Sequence, residues 1–249
     1  RLLVGNEGIN GTFEGTREQI EAYKEALTSD ARFSDVRFKE SAGTGVAFPK
    51  LQIKVRDEIV ALGVDGLDVP NETAPVVTAE ELEAMYEKEE DFVLLDLRND
   101  YEIACGAFEG TVDPGLRNFR DLPEKLKEIE HLKDKKVVSV CTGDIRCEKA
   151  TAYLKKEGFE DIYHLDNGIH DYMQKYPNSR FKGTLFVFDN RITTPVVDVP
   201  DREIIGRCSF CGAPCEEYVN DDSTTPSTKL ICCKDCFASR EESFRPIVS

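Results

Sequence analysis

Histidine is scarce in this chain of 249 residues, and long hydrophobic runs are missing from it. The three histidines, His131, His164 and His170, lack the spacing of a metal site or a catalytic triad, which predicts surface or packing positions for them. No apolar stretch approaches the roughly 20 residues that span a bilayer, which argues against a membrane protein. The sequence also lacks the motifs of a flavin, haem or nicotinamide site and of a two-histidine, one-carboxylate iron site.

Basic residues are also few: the chain has 32 lysines and arginines against 48 aspartates and glutamates, which gives a net charge of −16. Proteins that bind nucleic acids gain much of their affinity by neutralising phosphates, so the overall charge has the wrong sign for one. Contact with RNA would require a local basic patch. Two groups of residues are candidates, although such groups are more often ordinary solvated surface: Lys50, Lys54 and Arg56, and Arg117 with Arg120.

The nine cysteines are an odd number, and their spacing does not suggest a compact disulfide framework. This usage favours a reducing cytoplasm with thiol or metal chemistry. Two C-x-x-C pairs near the end of the chain predict a structural zinc site, because four thiolates complete a tetrahedral shell. The predicted ligands are Cys208, Cys211, Cys233 and Cys236. The alternative is a set of reduced thiols in a small module.

The most informative stretch is Val137–Gly158, which reads as an apolar strand, a tight polar loop and a helix from about residue 146 to 156. Cys141 opens the loop, where backbone amides converge on the helix N-terminus. The helix dipole favours an anion there, which predicts a lowered thiol pKa and a nucleophilic or sulfur-carrying thiolate. Alternatively, Cys141 is simply the last buried residue of the strand.

The loop between Cys141 and Arg146 has the form C-x4-R, and its backbone comes from Thr142, Gly143, Asp144 and Ile145. Phosphatase loops that encircle a tetrahedral phosphate are one residue longer. The shorter loop suits a single terminal sulfur atom, which Cys141 would take from a donor and deliver to an acceptor. Arg146 ends this loop, and the simpler alternative for it is a residue at the helix N-terminus that pairs with a nearby carboxylate.

Strands alternate with helices between residues 78 and 176, which predicts an α/β domain with a mainly parallel sheet. Ligands of such sheets bind beyond the carboxyl ends of the strands. Asp96, Arg98, Cys141 and Asp166 all fall at predicted strand ends and are expected to share one rim. For Asp96 and Arg98 we expect a supporting role, with bonds to the loop or to the next strand.

The chain is divided by composition into four segments. Residues 1–64 read as β-β-α-β-β, which is a partial ferredoxin-like or acylphosphatase-like α+β domain. The segments are predicted as this domain (1–64), a proline-containing linker (65–77), the α/β domain (78–176) and a Cys-rich, zinc-ribbon-like region (177–249).

Four motifs carry a family resemblance: EGINGT (7–12), LLDLRNDYE (94–102), CTGDIRCEKA (141–150) and FKGTLFVFDNR (181–191). Together they resemble the rhodanese-related tRNA uridine(34) hydroxylases over nearly the whole chain. The resemblance implies an acylphosphatase-like domain, a rhodanese domain and a Cys-rich tail. It also implies oxygen-dependent 5-hydroxylation of the wobble uridine, with the anticodon region of tRNA as partner and no membrane association.

The same resemblance implies that Cys141 is the persulfide cysteine, that Arg146 closes its loop, and that Cys147 is a cysteine of the motif. Asp144 stands where the family usually has a second glycine, and its carboxylate should raise the pKa of the thiol unless it points outward. Asn167 also replaces a glycine. Asp221 and Pro226 lie about where further cysteines occur in the family, which argues against a second metal site.

Two other functions remain open at this stage. One is a persulfide sulfurtransferase acting on a small-molecule or protein acceptor. The other is a non-catalytic module that binds a partner through the tail and the first domain. The sequence does not indicate how oxygen is activated, and it carries no signal for the oligomeric state.

Overall fold

A computed structural model describes residues 1–240 and 244–247. Within these residues the chain forms two units. The first contains Arg1–Ile59 and Phe188–Arg191, and the second contains Val60–Val187 and Ile192–Ile247.

Three strands and one long helix form the first unit. They are β1 Leu2–Gly5, β2 Gly8–Gly11, α1 Arg17–Thr28 and β3 Ile53–Val55. Strand β1 lies in the centre, antiparallel to β2 and parallel to β3. Helix α1 begins where Thr16 and Gln19 form a capping box. Of the two strands that the β-β-α-β-β pattern predicts after the helix, only β3 forms; residues 58–62 are irregular, and Leu62 is buried in the core of the second unit.

The second unit opens with an α/β arrangement whose first elements are α2 Val69–Glu72, β4 Val76–Val77, α3 Ala79–Glu87, β5 Val93–Asp96, α4 Asp100–Ile103, β6 Gly106–Phe108 and α5 Leu122–Ile129. It continues with β7 Val137–Val140, α6 Ile145–Lys156, β8 Ile162–Leu165, α7 Gly168–Lys175 and β9 Phe181–Gly183. Four strands form a parallel sheet in the order β4-β8-β7-β5, which confirms the predicted α/β class.

The parallel sheet is buried on both faces, as its continuous apolar strands require. Leu95 and Val137 belong to a core that includes residues of α5 and α6. Leu94 and Val138, their neighbours along the strands, belong to a second core that includes residues of α3 and α7. Because alternate strand residues face opposite sides, the sheet is fixed between two helical layers, and its carboxyl edge is held in place.

Residues 65–77, for which the sequence predicts a linker, belong instead to the second unit. Asp68 precedes the short helix α2, which has proline in its first turn, as helix starts favour. Ala74 is buried in the core, and β4 pairs with β8 as an edge strand of the parallel sheet. The segment does contain turn-forming residues, but its Ala74 and Val77 are buried, which a free linker would not show.

The C-terminal region consists of β10 Leu185–Phe186, β11 Thr193–Thr194, β12 Tyr218–Asp221, β13 Thr228–Ile231, α8 Lys234–Ala238 and β14 Phe244–Pro246. Strand β12 pairs antiparallel with both β13 and β14. This region is joined to the α/β part, because β9 pairs with β6 and the Tyr218 hydroxyl donates to the Tyr101 carbonyl at 2.5 Å. In the described ranges, no helix has the length and apolarity needed to cross a membrane.

Candidate active site

Cys141 directly follows β7 at the carboxyl edge of the parallel sheet and is fully buried. The loop ends where α6 begins at Ile145. The N-terminus of α7 holds this loop, because the Ile169 amide donates to the Cys141 carbonyl at 2.9 Å and the His170 amide donates to the Thr142 carbonyl at 3.1 Å. The two helices therefore fix the loop from both sides of the thiol.

Gly168 lies against the backbone of this loop. Its φ of +71° lies in the left-handed region, and a Cβ atom built on it would lie 2.6 Å from the Cys141 carbonyl oxygen and 2.7 Å from the Asp144 nitrogen. A side chain at this position would both strain the backbone and displace the loop. The close approach of α7 to the Cys141 loop therefore requires glycine here.

The thiol of Cys141 is held as an anion by two neighbours. Burial by itself raises the pKa of Cys141, but a hydrogen bond from the Cys147 thiol and the charge of Arg146 outweigh it and lower this pKa to about 6. Burial and the neighbouring Cys141 raise the pKa of Cys147 well above its ordinary value. One thiol of the pair is therefore a thiolate at neutral pH, and the other keeps its proton and donates it in a hydrogen bond.

Arg146 is anchored by Glu102, which lies on α4. Its two terminal nitrogens contact the two Glu102 carboxylate oxygens at 2.6 and 2.9 Å, and Nη2 also donates to the Thr142 hydroxyl at 3.1 Å. Burial of Glu102 favours its neutral form, but the charge of Arg146 prevails and lowers the pKa of this carboxyl. Arg146 thus both closes the loop and pairs with a carboxylate, which are the two arrangements that the sequence left open.

Asp96 and Arg98 form a second ion pair, which is fully buried. The Arg98 guanidinium makes three contacts with the Asp96 carboxylate, at 2.9, 3.1 and 2.6 Å, and donates to the Glu102 carbonyl at 3.3 Å and the Gly106 carbonyl at 2.7 Å. It also lies 5.5 Å from the ring centre of Phe181. The pair therefore joins the end of β5 to α4 and β6, beneath the residue that anchors Arg146.

Asp166 follows β8 at the same sheet edge as Cys141 and is half-buried. Its Oδ2 accepts a hydrogen bond from the Asn167 side chain at 3.0 Å. Asn167 and Asp144, the two residues that stand where the family usually has glycine, have φ values of +60° and +77°. Asparagine and aspartate are the non-glycine residues that tolerate this left-handed conformation best, which explains how they replace glycine here.

Sequence reasoning missed Glu102 and misjudged His164. Glu102 closes the RNDYE motif, and its spacing from Asn99 suits a helix N-terminus, but its partner Arg146 lies 44 residues further along the chain. His164 was expected at the surface or in simple packing, yet it is buried with its Nδ1 2.6 Å from Asp144 Oδ1. The sequence signal for this pair is Asp144 itself, because a carboxylate in a buried loop requires a partner.

Replacing Glu102 by glutamine is expected to destabilise the second unit by about 3–5 kcal/mol, because it removes the carboxylate that is hydrogen-bonded to the largely buried Arg146 guanidinium. Urea unfolding at pH 7 measures this effect, with Glu128→Gln on the exposed side of α5 as control. Since the pKa of Glu102 is lowered on folding, its contribution is present above the ordinary pKa of 4.5 and is lost as the pH falls through the folded value. Equal stability of the two variants at pH 7 would contradict the buried ion pair.

The second cluster of reactive groups lies in the C-terminal region. The Sγ atoms of the four predicted metal ligands all lie within 4.8 Å of one another, in the set Cys208, Cys211, Cys233 and Cys236. The Cys211 and Cys233 Sγ atoms are 3.7 Å apart, and the Cys233 amide donates to Cys208 Sγ at 3.4 Å. The four thiols are thus close enough to bind one metal ion, as their spacing in the sequence predicts.

Family models match the chain in three consecutive stretches. The UPF0176 acylphosphatase like domain matches residues 1–59, the rhodanese-like domain residues 78–175, and the rhodanase C-terminal domain residues 182–245. The second match confirms the fold predicted for the middle of the chain. The solution NMR structure of a rhodanese-like domain from Anabaena is similar to this chain with a TM-score of 0.39 and 19% sequence identity. The match covers 55% of this chain and 95% of the Anabaena chain.

Relatives that are similar over most of the chain carry the name tRNA uridine(34) hydroxylase. The one from Onion yellows phytoplasma is 42% identical over 238 residues, which cover 93% of this chain and 76% of the relative. The one from Enterococcus faecalis is 45% identical over 226 residues, which cover 88% of this chain and 70% of the relative.

Proposed function

The chain belongs to the tRNA uridine(34) hydroxylase family, and from this membership we propose that it hydroxylates uridine 34 of tRNA by chemistry that depends on Cys141. The observation that carries the role of Cys141 is its buried thiolate, which has a pKa of about 6 and lies between the Cys147 thiol and Arg146. Nucleoside mass spectrometry of tRNA from a deletion strain, complemented with wild-type or Cys141→Ser protein, tests the proposal.

The proposed reaction is an oxygen-dependent 5-hydroxylation of the wobble uridine. Family membership supports the hydroxylation, and the oxygen requirement comes from the resemblance of the sequence motifs. The described residues support the part played by the protein itself. They keep the sulfur of Cys141 ionised and hold the protonated thiol of Cys147 in contact with it. They also exclude water, since both cysteines are fully buried.

Sulfur transfer is the second candidate, and the short C-x4-R loop favours it. In this reaction the Cys141 thiolate attacks the outer sulfur of thiosulfate, sulfite leaves, and Cys141 becomes a persulfide. Cyanide then removes the outer sulfur as thiocyanate and regenerates the thiolate. A thiosulfate–cyanide assay on the purified protein separates this activity from hydroxylation, because it needs neither tRNA nor oxygen.

We further propose that the partner is the anticodon region of tRNA, since position 34 lies there, and that the protein acts in the cytoplasm. The free state of all nine cysteines is consistent with a reducing compartment. Two basic side chains next to α4 support contact with RNA on this side. Arg117 is exposed and its Nε lies 3.6 Å from the Asp100 carboxylate of α4, and the Lys229 ammonium lies 4.9 Å from the ring centre of Tyr101.

Zinc is the metal that we propose for the four clustered cysteines. Four thiolates about 2.3 Å from a tetrahedral Zn²⁺ lie about 3.8 Å from one another, which matches the 3.7 Å between the sulfurs of Cys211 and Cys233. Cys208, Cys211, Cys233 and Cys236 would fill all four positions, so the ion would join the turn at residues 208–211 to the start of α8 and leave no open position for a substrate.

Purified protein is expected to contain about one equivalent of zinc, and Cys236→Ala protein less than about half of that, because three thiolates bind the ion more weakly than four. Elemental analysis after dialysis against zinc-containing buffer measures both values. The control is Cys215→Ser, since Cys215 is buried in the same region but lies outside the quartet. Wild-type protein with less than half an equivalent would contradict the zinc site.

A further inference from the structure

Asp144 and His164 form a buried pair beside the Cys141 loop. Asp144 precedes α6 with a φ of +77°, and its Oδ1 lies 2.6 Å from the Nδ1 of His164 on the neighbouring strand β8. Both residues are largely buried. The carboxylate therefore points inward to the His164 imidazole. Only a carboxylate that pointed outward to solvent would leave the pKa of the thiol unaffected.

The surroundings of His164 favour the imidazolium form. Its ring hydrogen-bonds both to Asp144 and to the backbone of Ala74, and Glu148 of α6 adds a second negative charge nearby. A neutral imidazole has only one N–H, so it can donate to only one acceptor, whereas the imidazolium donates to two. Burial by itself lowers the pKa of His164, but the hydrogen bond and charge of Asp144 raise it above the ordinary value.

The pair also bears on the reacting thiol, because the Asp144 carboxylate raises the pKa of Cys141 and so opposes Arg146. The backbone of Asp144 is fixed, since its nitrogen lies beneath Gly168 and its carbonyl accepts from the Cys147 amide at 2.7 Å. An uncompensated carboxylate at this point would therefore work against the thiolate.

We propose that His164 is a positioning residue for the Cys141 loop: its imidazolium holds the Asp144 carboxylate on the β8 side and offsets its charge. This inference deepens the proposed function and depends on it for the role of Cys141. The strength of this pair depends on pH. Because the pKa of His164 is raised on folding, the contribution of the charged imidazole is present below its ordinary pKa of 6.5 and is lost as the pH rises through the folded pKa of His164.

Titration of the imidazole by NMR tests the pair directly, since only three histidines need to be assigned. In the wild-type protein His164 should titrate above 6.5, and in Asp144→Asn its pKa should fall because the paired charge is gone. Asp134→Asn, an exposed substitution before β7, is the matched control and should leave the titration unchanged. A His164 pKa that is the same in all three proteins would overturn the proposal.

The rate of Cys141 alkylation by iodoacetamide as a function of pH tests the effect on the thiol. Trypsin cleaves after Arg146 and so places Cys141 and Cys147 on separate peptides, 137–146 and 147–149, for mass spectrometry. In Asp144→Asn the midpoint should move to lower pH, with about threefold faster alkylation at pH 5. In His164→Gln it should move to higher pH, because Asp144 is then unpaired.

Opposite shifts are the signature of a charge-offsetting pair. A purely structural role would disorder the loop in both variants and move both midpoints toward the ordinary thiol pKa, and that result would overturn the inference. Neither measurement requires tRNA or oxygen. If the shifts occur while Cys141→Ser protein still hydroxylates tRNA, the proposed function fails and the positioning role stands.

Discussion

Cys141→Ser protein is expected to leave less than about 1% of the wild-type 5-hydroxyuridine in tRNA. Serine fits the same buried space, but its hydroxyl does not ionise near neutral pH and cannot carry a sulfane sulfur. The hydrogen bond from Cys147 and the charge of Arg146, which lower the pKa of Cys141 to about 6, would then act on a group with no charge to stabilise. The measurement is nucleoside mass spectrometry of tRNA from the complemented deletion strain.

The control for this experiment is Cys105→Ser, another buried thiol of the same unit. Its Sγ lies 3.4 and 3.3 Å from the carbonyl oxygens of Glu102 and Thr184, and a serine hydroxyl can donate its one proton to either of them, as the thiol does. This variant should retain hydroxylation at close to the wild-type level. Full restoration of 5-hydroxyuridine by Cys141→Ser, at equal protein abundance, would rule out a thiolate mechanism.

Gly168→Ala is expected to abolish activity and to destabilise the second unit by about 3 kcal/mol or more. Part of this cost, about 1 kcal/mol, comes from placing a side chain at a φ of +71°. The rest comes from contacts of the new Cβ at 2.6–2.9 Å with backbone atoms of Cys141, Asp144 and Gly143, which cannot all move away. Thermal unfolding and the tRNA assay together measure the two effects.

Gly158→Ala at the end of α6 is the matched comparison. Gly158 also has a positive φ, +96°, but a Cβ atom there meets no atom within 4 Å. Gly158→Ala therefore carries the backbone cost alone and should retain activity. Similar losses of stability and activity in the two variants would show that backbone strain, rather than pressure on the Cys141 loop, explains the result at Gly168.

The parts of the site that sequence analysis predicted are those encoded locally. The strand, the loop from Cys141 to Arg146 and the helix follow one another directly in the chain. Hydrophobic patterning and helix-end residues therefore locate the thiol. The convergence of the four tail cysteines was predicted for the same reason, since each C-x-x-C pair fixes two sulfurs on one turn. The structure confirms that these four thiols come together.

The parts that could not be predicted depend on tertiary contacts. Glu102 and Arg146 are separated by 44 residues, and only the adjacency of α4 to the loop brings them together. His164 reaches Asp144 because β8 pairs with β7 in a register that sets His164 beside Ser139. The segment 65–77 was predicted as a linker from its prolines and turn formers, but burial of Ala74 and pairing of β4 outweigh that local signal.

The pairing of β6 with β9 determines which fragments of this protein can fold on their own. A fragment that ends at residue 175, with the matched rhodanese-like segment, would lose Phe181 and the whole of β9. Strand β6 would then present a bare edge, and Arg98 would lose the aromatic ring that covers it. Expression of the catalytic domain by itself should therefore extend at least through Gly183, which places the domain boundary inside the segment that sequence families assign to the tail.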